Sequence, residues 1–263
     1  MSTPTQPQQP VGIEEIELAV KENAAVPAQP ASRDAAYWAP NVARLAVDPE
    51  RAAMGFNVAG RRVTGPQQGF GRLWQRTYSA TLRPTVTPQQ LIQEWKDNFA
   101  SFWPKGNRFG GTLIAPGEVA PIAVNAGGGI KLNTGVLVLY ADPESFTFMT
   151  PEGHMFAGWI TFSGHVENET TVARIQIMLR TSDPLFEATW PVMRRMEDRF
   201  WKQTMRNVAG HFGITGIVVE EKTVALDKRR QWKQWRNVWH NSAIRSALHL
   251  LTAPVRVLRR NGN

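Results

Sequence analysis

Between residues 70 and 212, the spacing of the apolar residues is first that of a strand, then of a helix, then of several strands and finally of a long helix. Residues 73–82 are rich in aromatic and β-branched side chains that partly alternate, as in a half-buried strand. A helix-start signal follows, with Thr87 as N-cap, Pro88 at the first helical position and Gln90 at the third. Apolar residues at helical spacing then predict an amphipathic helix over residues 88–103.

Short β-type runs separated by turn residues follow this helix. Asn168-Glu169 and Asp142-Pro143-Glu144 have the composition of hairpin turns. The sequence therefore predicts an antiparallel meander of five or six strands. The predicted strands are residues 111–115, 119–124, 130–140, 145–150, 157–167 and 170–181.

A second, longer helix is predicted after the meander. Asp183-Pro184 is a helix-start signal, and apolar residues then recur at threes and fours as far as Phe212. Pro191 is expected either to kink this helix or to mark its first turn. The order strand, helix, meander and long helix predicts an α+β fold.

The net charge of the chain is concentrated at its C-terminal end. Residues 222–263 carry ten Lys or Arg against one acid, Asp227, which gives this segment +9 when the whole chain has +8. Trp232, Trp235 and Trp239 fall among these basic residues at i, i+3 and i+7. Basic residues flanking an apolar, tryptophan-bearing face are typical of a helix that lies in a membrane interface.

The side chains predicted to contact an anionic membrane are basic residues and tryptophans of this tail. Each Lys or Arg near such a surface contributes on the order of 1 kcal/mol. An equally weighted alternative is that the tail packs on the body or a partner chain and buries the same tryptophans. Nucleic acid is less favoured, because the body sequence shows no basic face that extends the footprint. The predicted membrane-binding residues are Arg229, Arg230, Trp232, Lys233, Trp235, Arg236 and Trp239.

Composition divides the chain into four expected segments. Residues 1–34, rich in Pro, Gln, Ala and Glu, are predicted to be a disordered leader. Residues 35–68 are expected to form an extended arm lying on the body, and residues 69–219 a folded domain. Residues 220–263 are predicted to be a basic amphipathic helical tail.

Several classes of protein and site are disfavoured by the sequence. The absence of cysteine excludes disulfides, thiolate zinc sites and a cysteine nucleophile. No apolar run reaches the roughly eighteen residues of a spanning helix, and the N-terminus has no apolar core of a secretory signal. A cytoplasmic protein, peripheral on the inner membrane face, is therefore expected. The histidines show no metal-ligand spacing, so no metal is expected.

Four stretches together resemble the START-like (SRPBCC) superfamily, closest to uncharacterised bacterial START-like domains. The resemblance covers about residues 69–213. It implies a helix-grip fold, in which a curved antiparallel sheet wraps around a long C-terminal helix, and an apolar cavity between the two. It carries over no catalytic residues. The stretches are Gly69-Phe70-Gly71-Arg72-Leu73-Trp74, Trp95-Lys96-Asp97-Asn98-Phe99, Ser145-Phe146-Thr147-Phe148-Met149-Thr150-Pro151-Glu152-Gly153-His154 and Glu197-Asp198-Arg199-Phe200-Trp201.

The expected ligand of this cavity is a hydrophobic small molecule or lipid, bound without catalysis and without a cofactor. Methionine suits a loosely shaped pocket, because its side chain is unbranched and polarisable. Ordinary core packing is an equally weighted interpretation of the helix residues. The predicted cavity residues are Trp95, Phe99, Phe148, Trp159, Met193, Met196, Phe200 and Met205.

Glu152 and His154 are the candidate acid and base of an alternative, enzymatic function. A Glu-Gly-His turn between strands can bring a carboxylate and an imidazole to a cavity mouth, as a cyclase/aromatase-like or hydrolytic enzyme requires. The favoured interpretation is a structural hairpin connection in which Gly153 supplies the unusual backbone angle. A third function class is an interaction protein whose tail docks on a partner. The oligomeric state is not predicted.

Overall fold

The computed structural model describes residues 35–83, 85–125 and 131–252. The predicted leader (1–34), residue 84, residues 126–130 and the last eleven residues lie outside this range. The described residues form four α-helices, α1 (Ala52–Gly55), α2 (Pro88–Asp97), α3 (Pro184–His211) and α4 (Ser242–Leu251). Their nine strands are β1 (Val63–Thr64), β2 (Leu73–Thr81), β3 (Arg108–Phe109), β4 (Val119–Asn125), β5 (Lys131–Ala141), β6 (Ser145–Pro151), β7 (Phe156–Glu167), β8 (Thr170–Thr181) and β9 (Glu220–Asp227).

The strands form one curved antiparallel sheet in the order β3-β4-β5-β6-β7-β8-β2-β9, with β1 paired to β6. Asn168 and Glu169 form the predicted hairpin turn, with positive φ angles of 47° and 61°. The predicted strand at residues 111–115 is wrong. Strand β3 pairs with β4 at Phe109, and the Gly110 nitrogen still donates to the Pro121 carbonyl of β4 at 2.7 Å. No strand continues from Gly111, because glycine weakens a strand.

Helix α2 begins where its sequence signal lies. The Thr87 hydroxyl accepts a hydrogen bond from the Gln90 backbone nitrogen at 3.2 Å, and the Gln90 side chain accepts one from the Thr87 nitrogen at 3.1 Å. The helix ends at Asp97, earlier than predicted, and Phe99–Phe102 continue as a 3-10 helix. Asn98 accounts for the break, because its side-chain amide donates to the Glu94 carbonyl at 3.2 Å.

Helix α3 lies against the concave face of the sheet. Asp183 caps it by accepting hydrogen bonds from the nitrogens of Leu185 and Phe186 at 2.9 and 3.0 Å. Pro191 lies inside the helix, so the interpretation that it marks the first turn is wrong. No residue of α3 from 191 to 203 is fully buried, although both ends are. The centre of this helix is therefore less deeply buried than the turns on either side of it.

The main apolar core lies between the concave face and helices α2 and α3. Aromatic rings fill its middle: Phe99 lies 5.3 Å from Phe162 and 5.2 Å from Phe148, measured between ring centroids. A smaller cluster of Leu45, Val58 and Leu137 joins the arm to the opposite face. The predicted α+β helix-grip fold is confirmed: a curved nine-stranded sheet holds a long helix.

The C-terminal segment differs from the helical tail that the sequence predicts. Its first residues, Glu220–Asp227, form β9, which pairs with the free edge of β2. Trp232–His240 then form a 3-10 helix, called the Trp segment below. Asn241 begins a new helix, because its side chain accepts hydrogen bonds from the nitrogens of Ala243 and Ile244. The predicted single helical pattern is therefore divided into three elements.

Candidate functional site

A buried ion cluster joins the centre of α3 to the sheet. Arg76 of β2 is completely buried and pairs with Glu197 of α3 at 2.5 Å, with Asp198 of α3, and with Glu221 of β9 at 2.9 Å. The Tyr78 hydroxyl donates a hydrogen bond to Asp198 at 2.8 Å. One guanidinium thus connects two strands and the long helix.

The alternation of β2 explains why Arg76 lies inside. Trp74, Arg76 and Tyr78 project from the same face of the strand, toward α3. The guanidinium carbon lies 5.9 Å from the ring centre of Trp190, whose ring is 6.1 Å from that of Trp74. Aromatic faces favour a planar guanidinium, so the cluster is held by stacking as well as by charge.

Burial and charge shift the carboxyl groups of this cluster in opposite directions. Burial raises the pKa of Glu197, and the adjacent Arg76 only partly opposes this. Burial also acts to raise the pKa of Glu221, but hydrogen bonds from Lys202, Arg76 and Thr223 prevail and lower it to about 2. Glu221 therefore remains ionised at neutral pH. A buried pair of this kind is stable only while every partner is present.

Sequence patterns did not single out this cluster. The available signal was an arginine at an inward position of β2, between Trp74 and Tyr78. A second signal was the inward stripe Trp190, Glu197 and Trp201 of α3, which carries an acid between two aromatic residues. Neither signal identifies the residue with which Arg76 pairs, because the paired residues are more than a hundred positions apart.

The predicted cavity residues differ in burial and in the face of the sheet to which they belong. Trp95, Phe99, Phe148 and Met205 are buried in the packed core. Met193, Met196 and Phe200 are half-buried along the centre of α3.

Trp159 lies on the other face of the sheet and does not face α3. It is 37% exposed, and its cross-strand neighbours are Met149 and Met178. The adjacent Ile160 belongs to the concave core, and side chains of a strand alternate between faces. The prediction that Trp159 lines the cavity is therefore wrong.

Two surface grooves of the described residues are lined mainly by polar side chains. The larger, about 520 Å³, lies on the outer face of β2, β8 and β9 and includes Gln75, Thr77 and Gln176. The smaller, about 220 Å³, lies beside α2 and includes Lys96 and Asp97. Neither groove is lined by a predicted cavity residue. Neither groove lies between α3 and the sheet.

Glu152 and His154 have separate partners and do not form an acid–base pair. Glu152 lies 3.5 Å from both Arg61 and His240. His154 is buried, and its Nδ1 accepts a hydrogen bond from the Phe156 nitrogen at 3.0 Å. Burial lowers the pKa of His154 to about 4, although a backbone hydrogen bond at Phe156 opposes this. This geometry supports the structural interpretation of the turn.

Polar groups attach the Trp segment to the body. The Gln231 nitrogen donates to the Phe70 carbonyl at 2.7 Å, and the Asn237 amide donates to the Ser182 carbonyl at 2.8 Å. The Asn241 amide donates to Asp183 at 2.8 Å. These bonds fix the segment beside the N-terminal end of α3.

Helix α4 is attached by a buried amide. Asn57 donates to the Asn133 carbonyl at 2.8 Å and to the Ser246 hydroxyl at 3.1 Å, and its oxygen accepts from Arg245 at 3.1 Å. The ring of Phe56 stacks on His249 with centroids 4.0 Å apart. The arm and α4 therefore pack against each other on the sheet.

The three tryptophans of the Trp segment remain exposed although the segment is attached. Trp232, Trp235 and Trp239 are 69%, 47% and 73% exposed. Arg229 and Arg230, also exposed, pair with Asp227 and Glu187 at 3.4 and 2.9 Å. The seven predicted membrane-binding residues thus lie on one attached, exposed segment. The alternative that the tail packs on the body is correct for the backbone and polar groups of the tail. It is wrong for the three indoles, which are not buried. Exposed apolar residues of α4 are Ile244, Leu248, Leu250 and Leu251.

The part of the chain that the structure describes contains neither a metal-binding cluster nor a helix able to span a membrane. No cluster of three or more His, Asp or Glu is arranged there to hold a metal ion. None of the helices there has the length and apolar character needed to cross a membrane.

No protein-family model matches the sequence, and no curated protein matches it. Similar solved structures include protein Ms6760 from Mycobacterium smegmatis, with 13% identity over 54% of this chain and 92% of that one, at a TM-score of 0.41. Protein NE0264 from Nitrosomonas europaea has 12% identity over 52% and 92%, at 0.39. The di-domain ARO/CYC StfQ from the steffimycin biosynthetic pathway has 9% identity over 54% and 53%, at 0.43. Similarity at this level defines neither a family nor a function for this chain.

Proposed function

We propose that the protein associates peripherally with an anionic membrane surface and carries an apolar molecule between α3 and the sheet. The contact with the membrane is the tail surface, defined as the exposed tryptophans and basic residues of 228–239. The observation that carries the proposal is the exposure of Trp232, Trp235 and Trp239 on a segment that hydrogen bonds attach to the body. Large apolar side chains exposed together on one short segment are candidate contact sites.

The charge around these indoles favours an anionic lipid surface. Lys228, Lys233 and Arg236 have no acidic partner among the described residues, and the Arg236 guanidinium lies 5.7 Å from the ring centre of Trp235. Tryptophan is enriched at the membrane–water interface, because its ring is apolar and its N–H is polar. The tail surface combines both properties.

The half-buried centre of α3 supports the proposed apolar cargo. Met193, Met196 and Phe200 lie there without full burial, in the part of the fold where the helix faces the sheet. Because neither surface groove opens there, we expect these side chains to move when the cargo binds, and methionine adapts readily to a new shape. The alternative enzymatic function has no such support, since Glu152 pairs with His240 and His154 bonds to the Phe156 nitrogen.

Co-sedimentation of the full chain with lipid vesicles tests the membrane contact. The test variant replaces Trp232, Trp235 and Trp239 with serine. We expect binding to phosphatidylserine-containing vesicles to fall by at least about tenfold, because the indoles no longer enter the interface. A truncated chain is unsuitable, because β9 pairs with β2.

The matched control replaces three exposed apolar residues outside the tail surface, Leu113, Val166 and Val218, with serine. It is expected to bind as the wild type does, and neither protein is expected to bind neutral phosphatidylcholine vesicles. Equal binding by the tryptophan variant and the control would contradict the proposal.

Native mass spectrometry of the purified protein tests the cargo. We expect a second mass that organic extraction removes, corresponding to one apolar molecule. Replacing Met196 with tryptophan adds volume at the centre of α3 and is expected to reduce that second mass. A spectrum that contains only the mass of the chain would contradict the cargo, but not the membrane contact.

A further inference from the structure

The outer face of α3 carries a row of basic side chains. Arg195, Arg199, Lys202 and Arg206 follow at i, i+4, i+7 and i+11, which places them on one side of a helix. The three arginines are exposed. Arg195, Arg199 and Arg206 form what we call the arginine stripe, which extends over about 16 Å at 1.5 Å per residue.

The acids of α3 are all directed away from this stripe. Glu187 pairs with Arg230 of the tail and accepts from Thr181, while Glu197 and Asp198 pair with Arg76. Within residues 35–83, 85–125 and 131–252, no ion pair or side-chain hydrogen bond involves an arginine of the stripe.

The separation of the acids of α3 from the arginine stripe lowers the local stability of the helix. Arg195 and Arg199 are an i,i+4 pair of like charge, which destabilises a helix. Asp198 is three residues from Arg195, within reach of an ordinary surface ion pair, but it is bound to Arg76 and Tyr78 instead. An unneutralised cationic stripe is therefore a candidate contact for an anionic partner.

The stripe corrects the expectation that the body has no basic face. The charge of residues 1–221 sums to nearly zero in the sequence, but acids and bases are not mixed on the surface of α3. The near-zero net charge gives no sign of the stripe, because it includes the charges of Glu197 and Asp198. Those two acids are turned toward Arg76 and do not neutralise the stripe.

The stripe begins close to the tail surface. Arg230 pairs with Glu187 at 2.9 Å, and Asn241 bonds to Asp183 at the helix cap, so the tail lies against the same end of α3. Leu185 and Val192, both exposed, lie on the outer face between that end and Arg195.

We propose that the arginine stripe is a second contact with the same anionic lipid surface, so that α3 lies along the membrane. This inference rests on the proposed function. Lipid fits better than nucleic acid because exposed Leu185 and Val192 accompany the stripe, and no aromatic side chain on its outer face offers a base a stacking surface. The contact places the half-buried centre of α3 next to the lipid, where an apolar cargo would enter or leave.

Neutralising the stripe tests its contribution to binding. The variant Arg195→Gln/Arg199→Gln/Arg206→Gln is compared with the control Arg62→Gln/Arg83→Gln/Arg108→Gln, which removes three exposed arginines elsewhere. At about a fivefold effect per basic residue, the stripe variant is expected to bind phosphatidylserine-containing vesicles roughly 100-fold more weakly. The control is expected to lose much less. Equal losses by the two variants would overturn the inference.

Site-specific labels test the orientation independently. The chain has no cysteine, so Val192→Cys and Val166→Cys each provide a single labelling site, and the two valines are 61% and 62% exposed. Vesicles containing a headgroup nitroxide lipid are expected to quench a fluorophore at 192 and to leave one at 166 unchanged.

The outcomes separate this inference from the proposed function. Bound protein whose fluorophore at 192 is not quenched overturns the contact of α3 but leaves the tail surface intact. Absence of vesicle binding overturns both. Stripe-dependent binding to single-stranded DNA that is tighter than binding to vesicles overturns lipid as the partner.

Discussion

The backbone nitrogen of Ser242 donates a hydrogen bond to the carbonyl oxygen of Gly153 at 2.9 Å. This bond joins the first residue of α4 to the turn between β6 and β7. The φ angle of Gly153 is 88°, and a Cβ atom there would lie 2.1 Å from the carbonyl oxygen of His240. Glycine is therefore required by conformation and by the close approach of the tail.

Replacement of Gly153 with alanine is expected to loosen the tail. The left-handed conformation alone costs about 1–2 kcal/mol, and the contact with His240 adds to this. We expect the free energy of unfolding, measured in urea, to fall by more than about 2 kcal/mol. Gly213→Ala is the matched control, because its φ is 69° and no atom lies within 4 Å of the added Cβ. Equal effects of both substitutions would show that the close approach is unimportant.

Replacement of Arg76 with methionine is expected to lower the free energy of unfolding by about 3–5 kcal/mol. The substitution leaves Glu197, Asp198 and Glu221 without their shared cation, and unpaired buried charges are costly. The loss is expected to be smaller at acidic pH, because burial raises the pKa of Glu197 and this carboxyl group becomes protonated there. Arg83→Met, at an exposed position, is the control and should change stability by less than about 0.5 kcal/mol. A small effect at position 76 would mean that the cluster contributes little to the fold.

His154 is expected to make the protein less stable below neutral pH. Its pKa is about 4 in the folded state, against 6.5 ordinarily, so the unfolded chain binds this proton first. The stabilisation is complete above pH 6.5 and is lost as the pH falls toward 4, by about 3 kcal/mol in all.

The measurement is urea unfolding at several pH values for the wild type and for His154→Asn. Asparagine retains an acceptor for the Phe156 nitrogen but does not titrate. The difference between the two proteins isolates His154 from the carboxyl groups. A difference that is independent of pH would contradict the prediction.

Two tryptophans that differ in burial, Trp239 and Trp190, provide a further check. Trp239→Ala is expected to change the free energy of unfolding by less than about 0.5 kcal/mol, because the indole is 73% exposed. Trp190→Ala, which removes an indole that is only 8% exposed, is expected to cost about 3–5 kcal/mol. If Trp239→Ala were as destabilising, its ring would serve the fold and not a partner.

The local signals in the sequence located helices α2 and α3, whereas long-range partners were not predictable. Thr87 and Asp183 bond to the next few residues, so their caps follow from the sequence alone. Strand β9 was missed because its pairing depends on β2, far away in the chain. For the same reason the partners of Arg76 could not be named. Trp159 could have been assigned to the outer face, because it alternates with Ile160 and Phe162.

The pairing of β9 with β2 has a consequence for biosynthesis. The ribosome makes β2 early and β9 late, and Arg76 is 145 residues from Glu221. Until β9 emerges, β2 has an unpaired edge and its arginine lacks one partner. An open strand edge is prone to pair with other chains. The nascent protein therefore depends on a much later segment to cover the open edge of an earlier strand.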